Sequence, residues 1–343
     1  MISLPMDNRK GSSPGRLRRR AMAARFLLRN LGRATPGISP ERRSSPQGHS
    51  YDLYEPSPKV RKTVLMVYGF TLAGEKEPRL LKFTQSFTAS GFRMAVPDLP
   101  GMKALTLERS DLDRLVNLIA HLYEESAVPI GLSGFSAGGG IALAAAADPR
   151  VRGCVDLILL FGPHYSLPDL WAGPWRSEAR LPRTEEDWEN FIWWQLVLAY
   201  RQGQAIGFPA AAQAEIEGLL KTYCVEPSMA RKKEIYEKWV RPHGILNLRN
   251  EQIDPDVLDE LSPCGKLALL PARVMILHDS QDALIPPSHS RQILAELEQR
   301  RDPHHERLLV TPLLSHVTPR AIYRWTDLFT LLDMFGELFS ESS

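Results

Sequence analysis

The chain has 343 residues, of which 43% are hydrophobic and 24% charged. This composition is ordinary for a globular protein, and the length allows one large domain with an insertion or two domains. The net charge of +2 does not by itself indicate a nucleic-acid partner. The three cysteines are too widely spaced to suggest a disulfide framework, and we expect a cytoplasmic protein.

Positive charge is concentrated at the N-terminus, where residues 1–50 carry eleven lysines and arginines against two acidic residues. We expect a largely disordered arm, helical between Arg16 and Arg33, followed by a linker over residues 34–50. Three interpretations stay open: a tail with a fraying helix, a segment for organelle import, and a peripheral contact with an anionic membrane surface. The expected apolar face consists of Leu17, Ala21, Ala24, Leu27, Leu28 and Leu31.

From Tyr51 onward, strand-like and helix-like segments alternate. Apolar runs such as residues 63–68 and 155–161 predict buried strands, and helical spacing recurs over residues 111–125. This pattern predicts an α/β fold with a mostly parallel sheet and helices on both faces. The core is expected to comprise residues 51–164 and 266–343.

The alternation stops between residues 165 and 265, where the sequence predicts helices without strands. Six of the seven tryptophans lie in this region, including Trp193. We therefore expect a helical insertion placed before the strand at residues 272–278. Aromatic side chains on its inner side would shape an apolar pocket, and the alternative is that they only pack the insertion against the core.

The segment Gly134-Phe135-Ser136-Ala137-Gly138 has the form G-x-S-x-G and lies between a predicted strand and an alanine-rich helix. This context predicts a sharp strand-to-helix turn that exposes the serine hydroxyl. The amides at the start of the following helix would point to the same place, where they could stabilise an oxyanion. We therefore predict that Ser136 is a nucleophile rather than a solvated serine in a glycine-rich turn.

A serine nucleophile needs a base, and the base needs a group that orients it. His278-Asp279-Ser280-Gln281-Asp282 follows a predicted strand and offers two acids, Asp279 and Asp282. His316 follows the next predicted strand. His304 and His305 lie in a charged loop and are weaker candidates for the base.

Four local matches resemble the α/β-hydrolase superfamily, and the resemblance extends over most of residues 51–339 outside the insertion. They are the Tyr68-Gly69-Phe70 turn, the segment 91–101, the Ser136 turn, and the loop from His278 to Pro286. The resemblance implies a catalytic triad of Ser136, Asp282 and His316, and a cap formed by the insertion. Tyr68 stands where the family usually has histidine, and Asp279 where it usually has glycine.

The resemblance also implies an oxyanion hole formed by the amides of Phe70 and Ala137, with Thr71 as a competitor for Phe70. We expect the substrate pocket to include Gly69, Thr71, Phe135, His164 and Trp193.

The implied activity is that of a serine hydrolase that cleaves a small or acyl-chain carboxylic ester, or an amide, without a metal or other cofactor. An acyltransferase with the same triad and a non-catalytic binding protein are the alternatives. We expect no nucleic-acid partner, and the sequence leaves the oligomeric state open.

Overall fold

The computed structural model of the chain describes residues 14–31, 36–57, 59–171, 185–203, 207–222, 228–243, 254–282, 284–300, 305–319 and 325–341, and an eight-stranded sheet lies at its centre. In chain order the strands are β1 (Glu41–Ser44), β2 (Ser50–Tyr54), β3 (Thr63–Val67), β4 (Arg93–Pro97), β5 (Ile130–Phe135), β6 (Val155–Phe161), β7 (Arg273–Asp279) and β8 (Arg307–Thr311). Their order across the sheet is β1-β2-β4-β3-β5-β6-β7-β8. Strand β2 is antiparallel to both of its neighbours, and the strands from β4 to β8 pair in parallel.

The central strands are apolar because helices cover both faces of the sheet. All five residues of β3 are buried, and in β6 only Asp156 is exposed. The prediction of an α/β fold with a mostly parallel sheet is therefore confirmed.

Twelve α-helices lie within the described residues. They are α1 (Pro14–Leu31), α2 (Pro78–Thr88), α3 (Pro100–Lys103), α4 (Arg109–Ser126), α5 (Ser136–Ala146), α6 (Leu167–Trp171), α7 (Glu185–Gln202), α8 (Ala210–Thr222), α9 (Met229–Ile235), α10 (Pro255–Glu260), α11 (Ser288–Leu297) and α12 (Trp325–Glu341). Helix α2 starts with Pro78, and the side chain of Glu77 accepts a hydrogen bond from the Leu80 amide at 2.7 Å, which satisfies one of the unpaired amides at the helix start.

Helices α6 to α10 all lie between β6 and β7. Three of them share a hydrophobic cluster in which Ile192 and Leu196 of α7 pack with Ile216 of α8 and Ile235 of α9. The helical character expected for this region is thus present in its described parts. The domain boundaries at residues 165 and 265 stay a prediction.

The N-terminal region differs in part from the expectation: helix α1 corresponds to the helical segment expected between Arg16 and Arg33, whereas the expectation of a linker is wrong for residues 36–50. Strand β1 falls inside the predicted linker and pairs with β2. Helix α1 packs against α12 and buries Ala23 and Phe26 completely. Leu17 and Leu28 of the expected apolar face are 59% and 71% exposed, so this face is not the one that packs against the rest of the protein. None of the described helices is both long and apolar enough to cross a membrane.

Candidate active site

Ser136 lies at the junction of β5 and α5, and its backbone has a φ of 52°. Such a left-handed conformation is uncommon outside glycine and indicates a strained turn. The two motif glycines are required by close backbone contacts. A Cβ at Gly138 would lie 2.0 Å from the Tyr68 carbonyl oxygen, and one at Gly134 would lie 2.6 Å from the Cα of Gly139. The G-x-S-x-G pattern thus follows from the tightness of the turn.

His316 and Asp282 form a hydrogen-bonded pair at the same edge of the sheet. The Nδ1 atom of His316 lies 2.6 Å from Oδ2 of Asp282, whose side chain is fully buried. The other carboxylate oxygen accepts the amides of Leu284 and Ile285 at 2.9 and 3.0 Å. Burial alone would raise the pKa of Asp282, but the charge of His316 and the hydrogen bonds from His278 and His316 outweigh it and hold that pKa below its usual range. The carboxylate therefore stays ionised and fixes the histidine ring.

A second aspartate holds the backbone of the same histidine. The Oδ2 atom of Asp279 accepts the His316 amide at 2.9 Å, and Oδ1 accepts the Gln281 amide at 3.1 Å. His316 has a φ of 53° and starts the two-residue turn between β9 (Leu314–Ser315) and β10 (Thr318–Pro319). Asp279 therefore clamps a tight hairpin turn and contacts the backbone of His316, whereas Asp282 contacts its ring.

A second histidine lies beneath the acid loop. His278 is completely buried, and its Nε2 atom lies 2.8 Å from the Ile285 carbonyl oxygen and 3.4 Å from Oδ2 of Asp282. Since a carbonyl oxygen only accepts, Nε2 carries a proton. The Nδ1 atom lies 2.6 Å from the Ser290 hydroxyl. His278 therefore ties both ends of the acid loop together.

A cavity of about 360 Å³ opens above these groups, and both Ser136 and His316 line it. No hydrogen bond joins these two side chains among the described residues. Catalytic hydrogen bonds are often long before substrate binds. The floor of the cavity contains Phe135 and Phe161, whose rings stack at 4.6 Å with an interplanar angle of 11°. One wall is formed by Leu80 and Phe83 of α2. The other wall comes from the helices after β6, through Leu167, Leu170, Trp171, Trp193 and Trp194.

The turn after β3 brings the expected oxyanion residues to the cavity. Gly69, Phe70, Thr71 and Ala137 all line it. The Thr71 amide donates to the Met102 carbonyl oxygen at 3.4 Å, so this amide already has an acceptor. Tyr68 is buried, and its hydroxyl accepts the Leu99 amide at 2.8 Å. This bond connects the turn to the segment after β4 and gives a structural reason for tyrosine at a position where histidine is usual.

The structure places His164 away from the cavity, so its expected role in the pocket is wrong. It is completely buried, its Nε2 atom lies 3.1 Å from the Leu261 carbonyl oxygen, and its ring fills the space beside Gly140. Burial lowers its pKa to about 4, and the ring is therefore neutral. Of the other pocket candidates, Gly69, Thr71, Phe135 and Trp193 line the cavity. His305 is described in the loop before β8, and His304 lies outside the described residues.

Several residues at the site were not anticipated from the sequence. The sequence places Asp279 and His278 in the acid loop, but it gives no sign that Asp279 contacts a backbone amide or that His278 bridges the loop. The α2 side chains Leu80 and Phe83 could have been suspected, since α2 begins a few residues after the Tyr68-Gly69-Phe70 turn. Their direction depends on packing against Phe26, which lies 5.6 Å from Phe83 between ring centroids.

Comparisons with known proteins agree with this fold. A model of the alpha/beta hydrolase family matches residues 68–321, and no curated protein sequence is significantly similar to the chain. A putative esterase from Staphylococcus aureus has a similar fold, with a TM-score of 0.52, 13% identity, and coverage of 96% of this chain and 93% of that one. A hormone-sensitive lipase from a metagenome library gives a TM-score of 0.50 and 16% identity over 96% and 94% of the two chains.

The chain is shorter than some proteins with a related fold. It spans 43% of the length of an acylaminoacyl peptidase from Pyrococcus horikoshii, with 92% of this chain covered, 14% identity and a TM-score of 0.49. At such identities, the structural likenesses concern the fold. The family match covers most of the chain, including the Ser136 turn, the acid loop and His316. The chain therefore belongs to the alpha/beta hydrolase family.

Proposed function

We propose that the chain hydrolyses carboxylic esters through a triad of Ser136, His316 and Asp282. The observation that carries this proposal is the 2.6 Å contact between His316 Nδ1 and Asp282 Oδ2 at the cavity that also contains Ser136. A carboxylate in this position fixes the ring tautomer with the proton on Nδ1 and leaves Nε2 free to accept one. It also stabilises the imidazolium that forms during the reaction.

The reaction then proceeds in two halves. Ser136 Oγ attacks the ester carbonyl carbon while its proton moves to His316 Nε2, and the amides of Phe70 and Ala137 stabilise the oxyanion. Nε2 returns the proton to the leaving alcohol, which departs and leaves an acyl-serine. A water molecule gives a proton to Nε2 and attacks this ester, and collapse of the second tetrahedral intermediate releases the acid and restores Ser136. Every step uses groups of this chain, the substrate and water.

The cavity favours a substrate with an apolar chain next to the carbonyl. Its volume of about 360 Å³ lies within the range of small-molecule sites, and phenylalanine, leucine and tryptophan side chains form much of its lining. We therefore propose an ester with an aliphatic or aromatic acyl group as the substrate class.

The test is labelling of the purified full chain with a fluorophosphonate probe, together with hydrolysis of p-nitrophenyl esters of increasing chain length. We expect labelling of the wild type and none of Ser136→Ala, whose kcat should fall by about 10³-fold or more. The matched control is Ser133→Ala, three residues earlier on β5, because the buried Ser133 hydroxyl has no hydrogen-bond partner among the described residues. Labelling that persists in Ser136→Ala would contradict the proposal, and so would a folded wild type that the probe does not label.

A further inference from the structure

Helix α1 carries an apolar stripe on the side that faces away from the protein. Leu17 and Leu28 are 59% and 71% exposed, and Ala21 and Ala24 lie between them at helical spacing. We call these four residues the outer stripe. Exposing leucine side chains to water is unfavourable. An exposed apolar stripe along one helix face is a feature of surfaces that bind a membrane or another protein.

Arginines border the outer stripe on one side. At 100° per residue, Arg18, Arg25 and Arg29 follow the stripe around the helix, and all three are exposed. Helix α1 contains six arginines and no acidic residue in the sequence PGRLRRRAMAARFLLRNL. An apolar stripe beside a basic one is the pattern of helices that lie in the interface of a negatively charged membrane.

The opposite side of α1 packs against the rest of the protein, so the outer stripe faces outward. Ala23 and Phe26 are completely buried on the opposite side, and Arg20 forms a two-bonded ion pair with Asp333 of α12 at 2.6 and 2.8 Å. This pair neutralises an acidic residue that would otherwise repel an anionic surface. Phe329 of α12 is 51% exposed and lies 5.9 Å from the Arg20 guanidinium, so it adds an aromatic side chain close to α1.

The same helix ends beside the cavity of the candidate active site. Asn30 of α1 lines this cavity together with Arg79 and Lys82 of α2. A surface that held α1 would therefore lie close to one end of the cavity.

We propose that the outer stripe and its bordering arginines bind the surface of a bilayer that contains anionic phospholipid, with α1 lying in the plane of the interface. The charge of the arginines selects lipid of negative charge, and the leucines enter the boundary between headgroups and acyl chains. The contact is peripheral and reversible, since it involves a short stripe and a few charges.

The experiment is sedimentation of the full chain with vesicles of phosphatidylcholine alone and of phosphatidylcholine mixed with phosphatidylglycerol. We expect binding to the mixed vesicles and much weaker binding to the neutral ones, and raising the salt concentration should weaken it because exposed charges are screened. Leu28→Asp should weaken binding about tenfold or more, because it removes an apolar anchor and adds a repelled charge. Arg25→Gln should weaken it about fivefold, the share of one basic residue near an anionic surface.

Two controls make the same chemical changes elsewhere. Leu269 lies outside α1 and is 70% exposed, so Leu269→Asp changes net charge and surface hydrophobicity as Leu28→Asp does. Arg152 is also exposed, and Arg152→Gln removes one positive charge as Arg25→Gln does. Both should bind like the wild type, and thermal unfolding should show that all four variants are folded. The proposal is overturned by a wild type that ignores mixed vesicles or by controls that lose as much binding as the α1 variants. A Leu28→Asp variant that turns a dimer into a monomer and binds vesicles normally would also overturn it, since the stripe would then serve a second copy of the chain.

Discussion

Asp279 and Asp282 lie on one loop and hold the same histidine at different atoms. Asp282 contacts the ring at Nδ1, and Asp279 accepts the backbone amide at 2.9 Å. The φ of 53° at His316 costs about 1–3 kcal/mol for a residue with a side chain. A hydrogen bond from an amide to a charged carboxylate contributes a similar amount, about 1.5–3 kcal/mol. Asp279 therefore stabilises a strained turn that sets where the ring of His316 lies.

We predict that Asp279→Gly lowers kcat by about tenfold to a hundredfold, because small displacements of a catalytic group have large effects on rate. KM should change little, since Asp279 does not line the cavity. Steady-state kinetics on a p-nitrophenyl ester would measure both constants. Asp279→Asn keeps an oxygen that can accept the His316 amide and should recover much of the activity. Equal losses in both variants, or a change confined to KM, would show that Asp279 does not position the histidine.

The sequence indicated which side chains could take part in the reaction, but not which atoms they contact. Ser136, Asp282 and His316 could be proposed from the sequence because each of these reactive side chains follows a predicted strand. The clamp of Asp279 could not, since its partner is a backbone amide 37 positions away and sequence gives no measure of that distance. His164 was misplaced for the related reason that its position after β6 does not determine whether its ring faces the cavity or Gly140.

At the level of elements, α1 is held by an aromatic cluster that joins three helices. The ring of Phe26 lies 4.4 Å from that of Phe87 in α2 and 4.9 Å from that of Phe335 in α12. Its ring is also 5.8 Å from that of Phe339. Phe83, which lines the cavity, belongs to the same cluster. Helix α1 thus supports the cavity wall from behind.

We predict that Phe26→Ala lowers the free energy of unfolding by about 3–5 kcal/mol, the usual cost of removing a buried phenylalanine ring. Leu28→Ala, two residues later on the exposed side, should change it by less than about 0.5 kcal/mol. Urea denaturation followed by circular dichroism would give both values. Similar small effects in the two variants would mean that α1 is not docked in solution.

Elements with a strong internal pattern were predicted well, and those defined by their partners were not. Strand β6 and helix α4 follow apolar periodicity and lie within two residues of the segments predicted from it, 155–161 and 111–125. Strand β1 has the sequence ERRS and no apolar residue, so only its pairing with β2 makes it a strand. In α1 the apolar residues occur on several sides, and the face that becomes buried is chosen by the rings of α2 and α12.

At the scale of the whole molecule, the basic N-terminal region and the more acidic body are joined by ion pairs. Arg42 on β1 contacts Asp52 at 2.9 Å and Asp98 at 2.7 Å, and Arg20 contacts Asp333 at 2.6 Å. Such partly exposed pairs contribute modestly to stability, about 0–1 kcal/mol each. Their larger effect is on orientation, because they connect β1 and α1 to distant parts of the chain.

Global stability should also depend on one buried acid, Asp111, whose pKa is raised to about 6 because burial disfavours its charged form. The folded protein keeps this proton up to about pH 6, whereas the unfolded chain loses it near pH 3.9. The free energy of unfolding should therefore fall as the pH rises from about 4 to about 6, by about 2–3 kcal/mol from this residue.

The variant Asp111→Asn lacks this proton and keeps an oxygen for the Met102 amide, which donates to Asp111 at 2.9 Å. Between pH 4 and pH 7 the free energy of unfolding of the wild type should fall by about 2–3 kcal/mol because of Asp111, and that of the variant should not. The difference between the two proteins should therefore change by this amount. Urea denaturation at several pH values would measure the difference. A difference that stays constant with pH would contradict the assignment.

The packing of α1 on α12 has a consequence for how the protein is made. Arg20 and Asp333, which join the two helices, are 313 positions apart. At a synthesis rate of about 5–20 residues per second, roughly 15 to 60 seconds separate the two partners on the ribosome. During that time Phe26 can pack against Phe83 and Phe87 of α2 but not against α12, so part of a basic and partly apolar helix stays exposed to chaperones. Complete docking of α1 therefore requires that α12 has been synthesised.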